Sequence, residues 1–273
     1  MPTTINRDEA VELLAEEFAA VSEMCRGIDE AAWNEPTCLP GWTVKDVLSH
    51  MAATERMLEG EHAPQVDVSH LTHLKNDIAK ANEMWVEANR PLSGAEVLAQ
   101  FEDVTARRLA ALAQMTQGEF DAPSWTPVGR DETYGRFMRI RHYDCFLHEH
   151  DIRDALSLPE RDEPRHVSSA LDETATALGY IVGRRARMPA DSRVRIQLLG
   201  SVAPAYLVAV DERAVVVTSF ESAPTVGITL PEMLWLRLTG GRLEAGPRLG
   251  GEIALEGDVE LAKQLATNLS YTI

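Results

Sequence analysis

The sequence predicts a two-domain chain of the α + α/β kind: a helical bundle over residues 1–187, then a small α+β domain over residues 188–273. Three observations carry this expectation. At about 150 residues per domain, 273 residues suit two domains. Apolar residues in the first part recur at helical spacing behind recognisable caps. Near Met188-Pro189-Ala-Asp191 the texture changes to alternating, β-branched segments.

In chain order, residues 7–26 place Val11, Leu14, Phe18, Val21 and Cys25 three and four apart, one face of a helix. Two prolines and a glycine in Asn34-Glu-Pro-Thr-Cys-Leu-Pro-Gly41 stop it. Thr43 opens a second helix with Asp46 three residues on, a shortened capping box. That helix carries Val44, Val47, Leu48, Met51 and Leu58 on one side. A third helix is expected over about 75–90, and Ser93 with Glu96 caps a fourth that runs past Leu112. Residues 119–132 read as a loop, residues 133–158 as a long helix, and 159–164 as a charged break. Residues 167–186 read as one more helix. The tail then gives strands around Val194–Leu198, Tyr206–Val210, Ala214–Thr218 and Thr225–Thr229, with Asp211-Glu-Arg213 as a hairpin connection. Pro231 is expected at the first position of a helix ended by Gly240-Gly241. A last strand at Ile253–Gly257 and a helix capped by Asp258 complete the tail.

Composition excludes several functions. The balance of 26 basic against 43 acidic residues is −17, the wrong sign for phosphate backbones and for anionic membrane surfaces. No apolar run reaches the roughly 18 residues of a membrane-spanning helix. The opening Met-Pro-Thr-Thr-Ile-Asn-Arg-Asp-Glu is not expected to be a secretory leader. Three scattered cysteines, Cys25, Cys38 and Cys145, indicate neither a disulfide framework nor a thiolate zinc site, so a cytoplasmic location is expected. Function must then come from a pocket.

The most informative stretch is Asp144-Cys-Phe-Leu-His148-Glu-His150-Asp151. Residues four apart share a helix face and residues two apart do not. Asp144 and His148 can therefore offer an oxygen and a nitrogen to one metal, as can His150 and Asp154. The first pair lies on a stripe with Phe137, Ile140, Leu147, Asp151, Ile152 and Ala155, whereas His150 and Asp154 share theirs with Tyr143 and Phe146. His50 lies at the edge of the apolar face of its own helix. Facing helices of a bundle assemble metal sites in this way. His50, Asp144 and His148 would give two imidazoles and a carboxylate, a set that leaves open positions for water or substrate. The other reading is a pair of core histidines hydrogen-bonded to nearby carboxylates.

Other candidates carry less. His62, His70 and His73 lie in a polar stretch, and His142 and His166 read as surface residues. Cys145 points away from Asp144 and reads as packing. No His-Glu-x-x-His occurs, and the glycine pairs do not follow a strand that opens a helix, so metalloprotease and dinucleotide readings fail. The tryptophans read as core, except Trp42, which suits either the core or a ligand wall.

At these residues the sequence resembles a known family. Pro40-Gly-Trp42-Thr-Val-Lys-Asp46-Val-Leu-Ser-His50 resembles the helix-opening motif of the DinB-like metalloenzymes. Tyr143-Asp-Cys-Phe-Leu-His148-Glu-His-Asp151-Ile-Arg153 resembles their later ligand helix, in the version of the mycothiol-dependent maleylpyruvate isomerase relatives. Ile228–Gly240 and Ile253–Asp258 resemble the sterol-carrier-like tail domain of these relatives.

The resemblance implies a four-helix bundle that holds a divalent metal, usually zinc, by His50, Asp144 and His148. The family pattern has glutamate at the middle position, so the shorter arm of Asp144 bears on metal placement and preference. It also implies a functional arginine from the tail, for which Arg242 is the expected counterpart. Mycothiol would be the thiol cosubstrate. The implied activity is a transferase or isomerase acting on a small electrophilic substrate, in a monomer or homodimer. Three other functions share parts of the pattern: thiol exchange on a biosynthetic S-conjugate, non-catalytic binding of an apolar ligand by the tail, and metal-dependent hydrolysis.

Overall fold

The computed structural model of the chain describes residues 3–72, 74 and 76–272. These divide into two compact units, Met1–Glu160 and Arg161–Ile273.

In the first unit, α1 (Arg7–Arg26) opens on Asn6, whose side chain accepts from the Glu9 amide. α2 (Val44–Leu58) opens on a complete capping box: Thr43 accepts from the Asp46 amide and the Asp46 carboxylate accepts from the Thr43 amide. α3 (Asp77–Asn89) follows, then α4 (Gly94–Gln114), capped reciprocally by Ser93 and Glu96. α6 (Tyr134–Ala155) comes after a short insertion. α1 packs on α4 and α6, and α2 packs on α4 and α6, so these four helices enclose one core, with α3 against α2. Phe18 and Phe101 meet edge to face at 5.8 Å in that core, among Leu14, Val47, Leu48, Met51, Val104 and Met138. Each such side chain is worth about 1.5–3 kcal/mol of burial, an upper estimate.

The insertion corrects the expected loop at 119–132. It forms one helical turn, α5 (Gln117–Phe120), and an antiparallel ribbon of β1 (Pro123–Thr126) and β2 (Gly129–Thr133). Its period-two pattern is too short to read through the prolines. The ribbon is held to α6 by Trp125, whose ring meets Phe137 edge-on at 5.8 Å.

In the second unit, α7 (Pro164–Ala175), α8 (Leu178–Tyr180) and a π-helical turn over Ile181–Arg185 replace the single helix expected over 167–186. Thr174 and Thr176 donate back to the Leu171 and Glu173 carbonyls, a competition that bends or ends helices. The sheet, among the described residues, has the order β5-β4-β3-β6-β7. Its strands are β3 (Arg193–Leu199), β4 (Ala205–Val210), β5 (Ala214–Val217), β6 (Val226–Pro231) and β7 (Ala254–Gly257). β3 and β6 are parallel and the other pairs antiparallel. Their register sets Val194, Ile196 and Leu198 beside Val226, Ile228 and Leu230, giving one apolar face. α9 (Glu232–Thr239) and α10 (Val259–Ala266) pack against the sheet. Pro231 is the N-cap of α9, one place before its expected position, and Asp258 caps α10.

The unit division falls at 160/161, whereas sequence texture changes at 187/188. Residues of α7 are helical by pattern, yet they pack on α9, and α8 packs on β5, so packing assigns them to the second unit. No helix of the described residues is long and apolar enough to cross a membrane.

Candidate metal centre

The capping box of α2 fixes where that helix starts, and hence which way His50 points. On α6, Asp144 and His148 are one turn apart, and α2 lies against α6. The fold therefore brings His50, Asp144 and His148 together: one donor atom from each lies within 4.8 Å of the other two. The imidazoles are buried, 7% and 6% exposed, while Asp144 is 34% exposed and marks the side open to solvent.

The distances test whether an ion fits. His50 Nε2 is 3.8 Å from Asp144 Oδ2, and His148 Nε2 is 3.5 Å from Asp144 Oδ1. Hydrogen bonds of this type run from about 2.7 to 3.2 Å, so neither contact is a good one. Ligands about 2.0–2.1 Å from a tetrahedral zinc ion stand about 3.4 Å apart. The three residues thus fit a small divalent cation better than they fit one another.

The surroundings orient each donor. His148 Nδ1 lies 2.9 Å from Asp151 Oδ2. A carboxylate only accepts there, so Nδ1 carries the proton and Nε2 presents its lone pair to the cation position. The Cys38 thiol donates to the other oxygen of Asp151 at 3.2 Å. Arg141 donates to Asp144 Oδ2 from one nitrogen and holds Glu55 Oε1 with two others, at 3.0 and 2.9 Å. Glu55 Oε2 accepts from Arg108, which also donates to Tyr134. Burial opposes the charge of Arg141, but Cys145, Glu55 and Asp144 outweigh it and hold its pKa above the ordinary guanidinium value. Trp42 forms a wall: its ring lies 5.2 Å from that of His50 and 6.4 Å from that of His148. Its indole nitrogen donates to the buried Glu83 at 2.8 Å.

Other predicted residues fall elsewhere. His150 is buried and donates from Nδ1 to the Phe146 carbonyl at 2.7 Å, while Asp154 is exposed. Cys145 is buried, and burial pushes its thiol pKa well up against the opposing charge of Arg141, which suits packing and not attack. His62 and His70 are exposed, and His73 lies outside the described residues. His142 and His166 are buried, which corrects their reading as surface residues. Arg242 lies in the second unit, next to Gly241 in the left-handed turn that follows α9, and donates to the Gly240 carbonyl at 2.6 Å. Sequence reasoning assigned no role to Asp151, Arg141 or Glu55. The signal available for the first two was a charged residue three positions from a candidate ligand.

A family model described as the mycothiol maleylpyruvate isomerase N-terminal domain matches residues 14–153. No curated protein matches the sequence. A crystal structure of the mycothiol-dependent maleylpyruvate isomerase is similar to the chain at 17% identity and a TM-score of 0.61, over 94% of this chain and 96% of that one. A histidine-to-alanine mutant of that isomerase is similar at 15% identity and a TM-score of 0.60, over the same shares. At such identities the likeness is one of fold.

Proposed function

We infer the activity of this chain from its family: it belongs to the mycothiol maleylpyruvate isomerase N-terminal domain family, whose model spans the helices bearing His50, Asp144 and His148. The reading that fits best is a metal-dependent isomerase or transferase that uses mycothiol against a small electrophilic substrate. One observation carries it. Two buried imidazoles and a carboxylate offer donor atoms within 4.8 Å of one another, with the carboxylate 3.8 and 3.5 Å from the two imidazole nitrogens, a spacing suited to a shared cation.

His50, Asp144 and His148 would hold the divalent ion, zinc by the two-nitrogen, one-oxygen donor set. When bound, such an ion supplies an open position at which a thiol is held deprotonated. Asp151 keeps the proton of His148 on Nδ1, so the nitrogen facing the cation is always the basic one. Trp42 covers one side of the imidazole pair and restricts approach to the half-exposed side, where Asp144 lies. A thiolate sulfur delivered there is the nucleophile for an electron-poor carbon of the substrate. Addition across a double bond leaves a single bond that can rotate. Expelling the sulfur then restores the double bond and gives an isomer, whereas keeping it, with a proton taken up at the neighbouring carbon to replace the one lost from the thiol, gives a conjugate. Arg242 is the proposed functional arginine of the second unit. The sterol-carrier-like character of that unit belongs to the same proposal.

The test is metal content of the purified protein, its thermal stability with mycothiol, and turnover. One ion per chain is expected, and mycothiol at 100 times its dissociation constant should add about 2.7 kcal/mol. His50→Ala should lose the ion and thiol-dependent turnover together. Unchanged turnover in His50→Ala, or equal turnover without any thiol, would overturn the reading.

A further inference from the structure

Asp144 is the weak member of the ligand set. It is the shortest acidic side chain and the most exposed of the three ligands, so nothing intrinsic fixes its carboxylate. Arg141, one turn earlier on α6, does so. Its guanidinium is 4% exposed and each of its three nitrogens has a partner: Asp144 Oδ2, Glu55 Oε1 and, from the nitrogen shared with Glu55, the Cys145 sulfur at 3.2 Å. Glu55 is 3% exposed and is itself gripped from α4 by Arg108. Glu55 sits on α2, the helix that carries His50, so the same network ties the two ligand-bearing helices together. Its charges balance, with Glu55 and Asp144 against Arg108 and Arg141.

We propose that Arg141 is a positioning residue for the metal centre: by occupying Asp144 Oδ2 it aims the carboxylate and restricts it to one oxygen for the ion, with Glu55 as its anchor. The proposal rests on the metal reading above. It gives the aspartate at this position a physical meaning. A short arm reaches the ion in a single orientation only if something rigid holds its other oxygen. A guanidinium suits this because its planar fork serves two carboxylates at once, which an ammonium on a flexible stem does not. Neutralising part of the Asp144 charge also leaves more of the ion's charge for a bound sulfur.

The experiment uses the full chain with zinc and cobalt(II) as probes. Wild type should bind one ion, measured by chelator competition. Arg141→Met should weaken zinc binding about 10- to 100-fold, the usual effect of removing a ligand's hydrogen-bond partner. The visible bands of its cobalt form should lose intensity, as a released carboxylate ligates through both oxygens and raises the coordination number. Arg141→Lys should recover part of the affinity and not the spectrum. Glu55→Gln, isosteric and away from the ion, should shift affinity in the same direction and serves as the decisive variant if Arg141→Met does not fold. A folded Arg141→Met or Glu55→Gln protein with wild-type zinc affinity and an unchanged cobalt spectrum overturns the positioning role. Wild-type protein that takes up no ion overturns the metal reading itself, and the two failures are thereby told apart.

Discussion

His148 and Asp151 form a buried pair one turn apart on α6, with Nδ1 of the imidazole 2.9 Å from the carboxylate. This pair decides which nitrogen of His148 faces His50 and Asp144. Asp151→Asn offers an amide that can donate as well as accept, so the tautomer is no longer fixed. Zinc affinity should fall about 10- to 100-fold with the fold intact. Chelator competition reads this directly; equal affinity in the two proteins would show that the tautomer is set elsewhere.

Trp42 reports on the same centre. Its indole stands beside both imidazoles while Glu83 holds its nitrogen. Adding zinc to metal-free protein should change tryptophan emission, and Trp42→Phe should abolish most of that change without altering stoichiometry. A metal-dependent signal that survives in Trp42→Phe would place its source at another tryptophan.

Packing makes a sharper demand at Gly94, the first residue of α4. A Cβ there would stand 2.3 Å from the ring of Trp33, which is buried. Gly94→Ala should destabilise the chain by about 1–3 kcal/mol despite the higher helix propensity of alanine. Urea unfolding measures it, and a stabilised variant would mean that Trp33 can move aside at little cost.

Alkaline pH tests the interior of the first unit. Burial, helped by the charges of Glu149 and Glu102, pushes the Cys25 thiol from 9.0 up to about 12. The folded chain therefore keeps a proton that the unfolded chain loses. The contribution is complete below pH 9.0 and is lost as pH rises toward about 12. Wild type should lose more stability than Cys25→Ala between pH 9 and about 10.5. Parallel slopes in thermal unfolding would contradict this.

Much of the architecture was written in short-range signals. Thr43 and Asp46 marked the start of α2, Ser93 and Glu96 that of α4, and both are capping boxes in the structure. Local hydrogen bonds make such caps, so local sequence reveals them. The ribbon over residues 123–133 was hidden because its partners are short and broken by proline. The break after α7 depends on how Thr174 and Thr176 turn their hydroxyls. His142 read as polar and exposed, yet it is buried.

The sequence by itself determined the helical register that puts Asp144 and His148 on one face, the apolar stripe that turns His50 inward, and the alternation that makes the tail a sheet. These follow from periods of 3.6 and 2 residues and need no knowledge of neighbours. Only the tertiary structure decided that α2 meets α6 so that three donors face a common gap, that Arg141 reaches Glu55 on another helix, and that α7 packs on α9 of the second unit. Those relations join residues far apart in the chain, and no local periodicity encodes the distance between two packed helices.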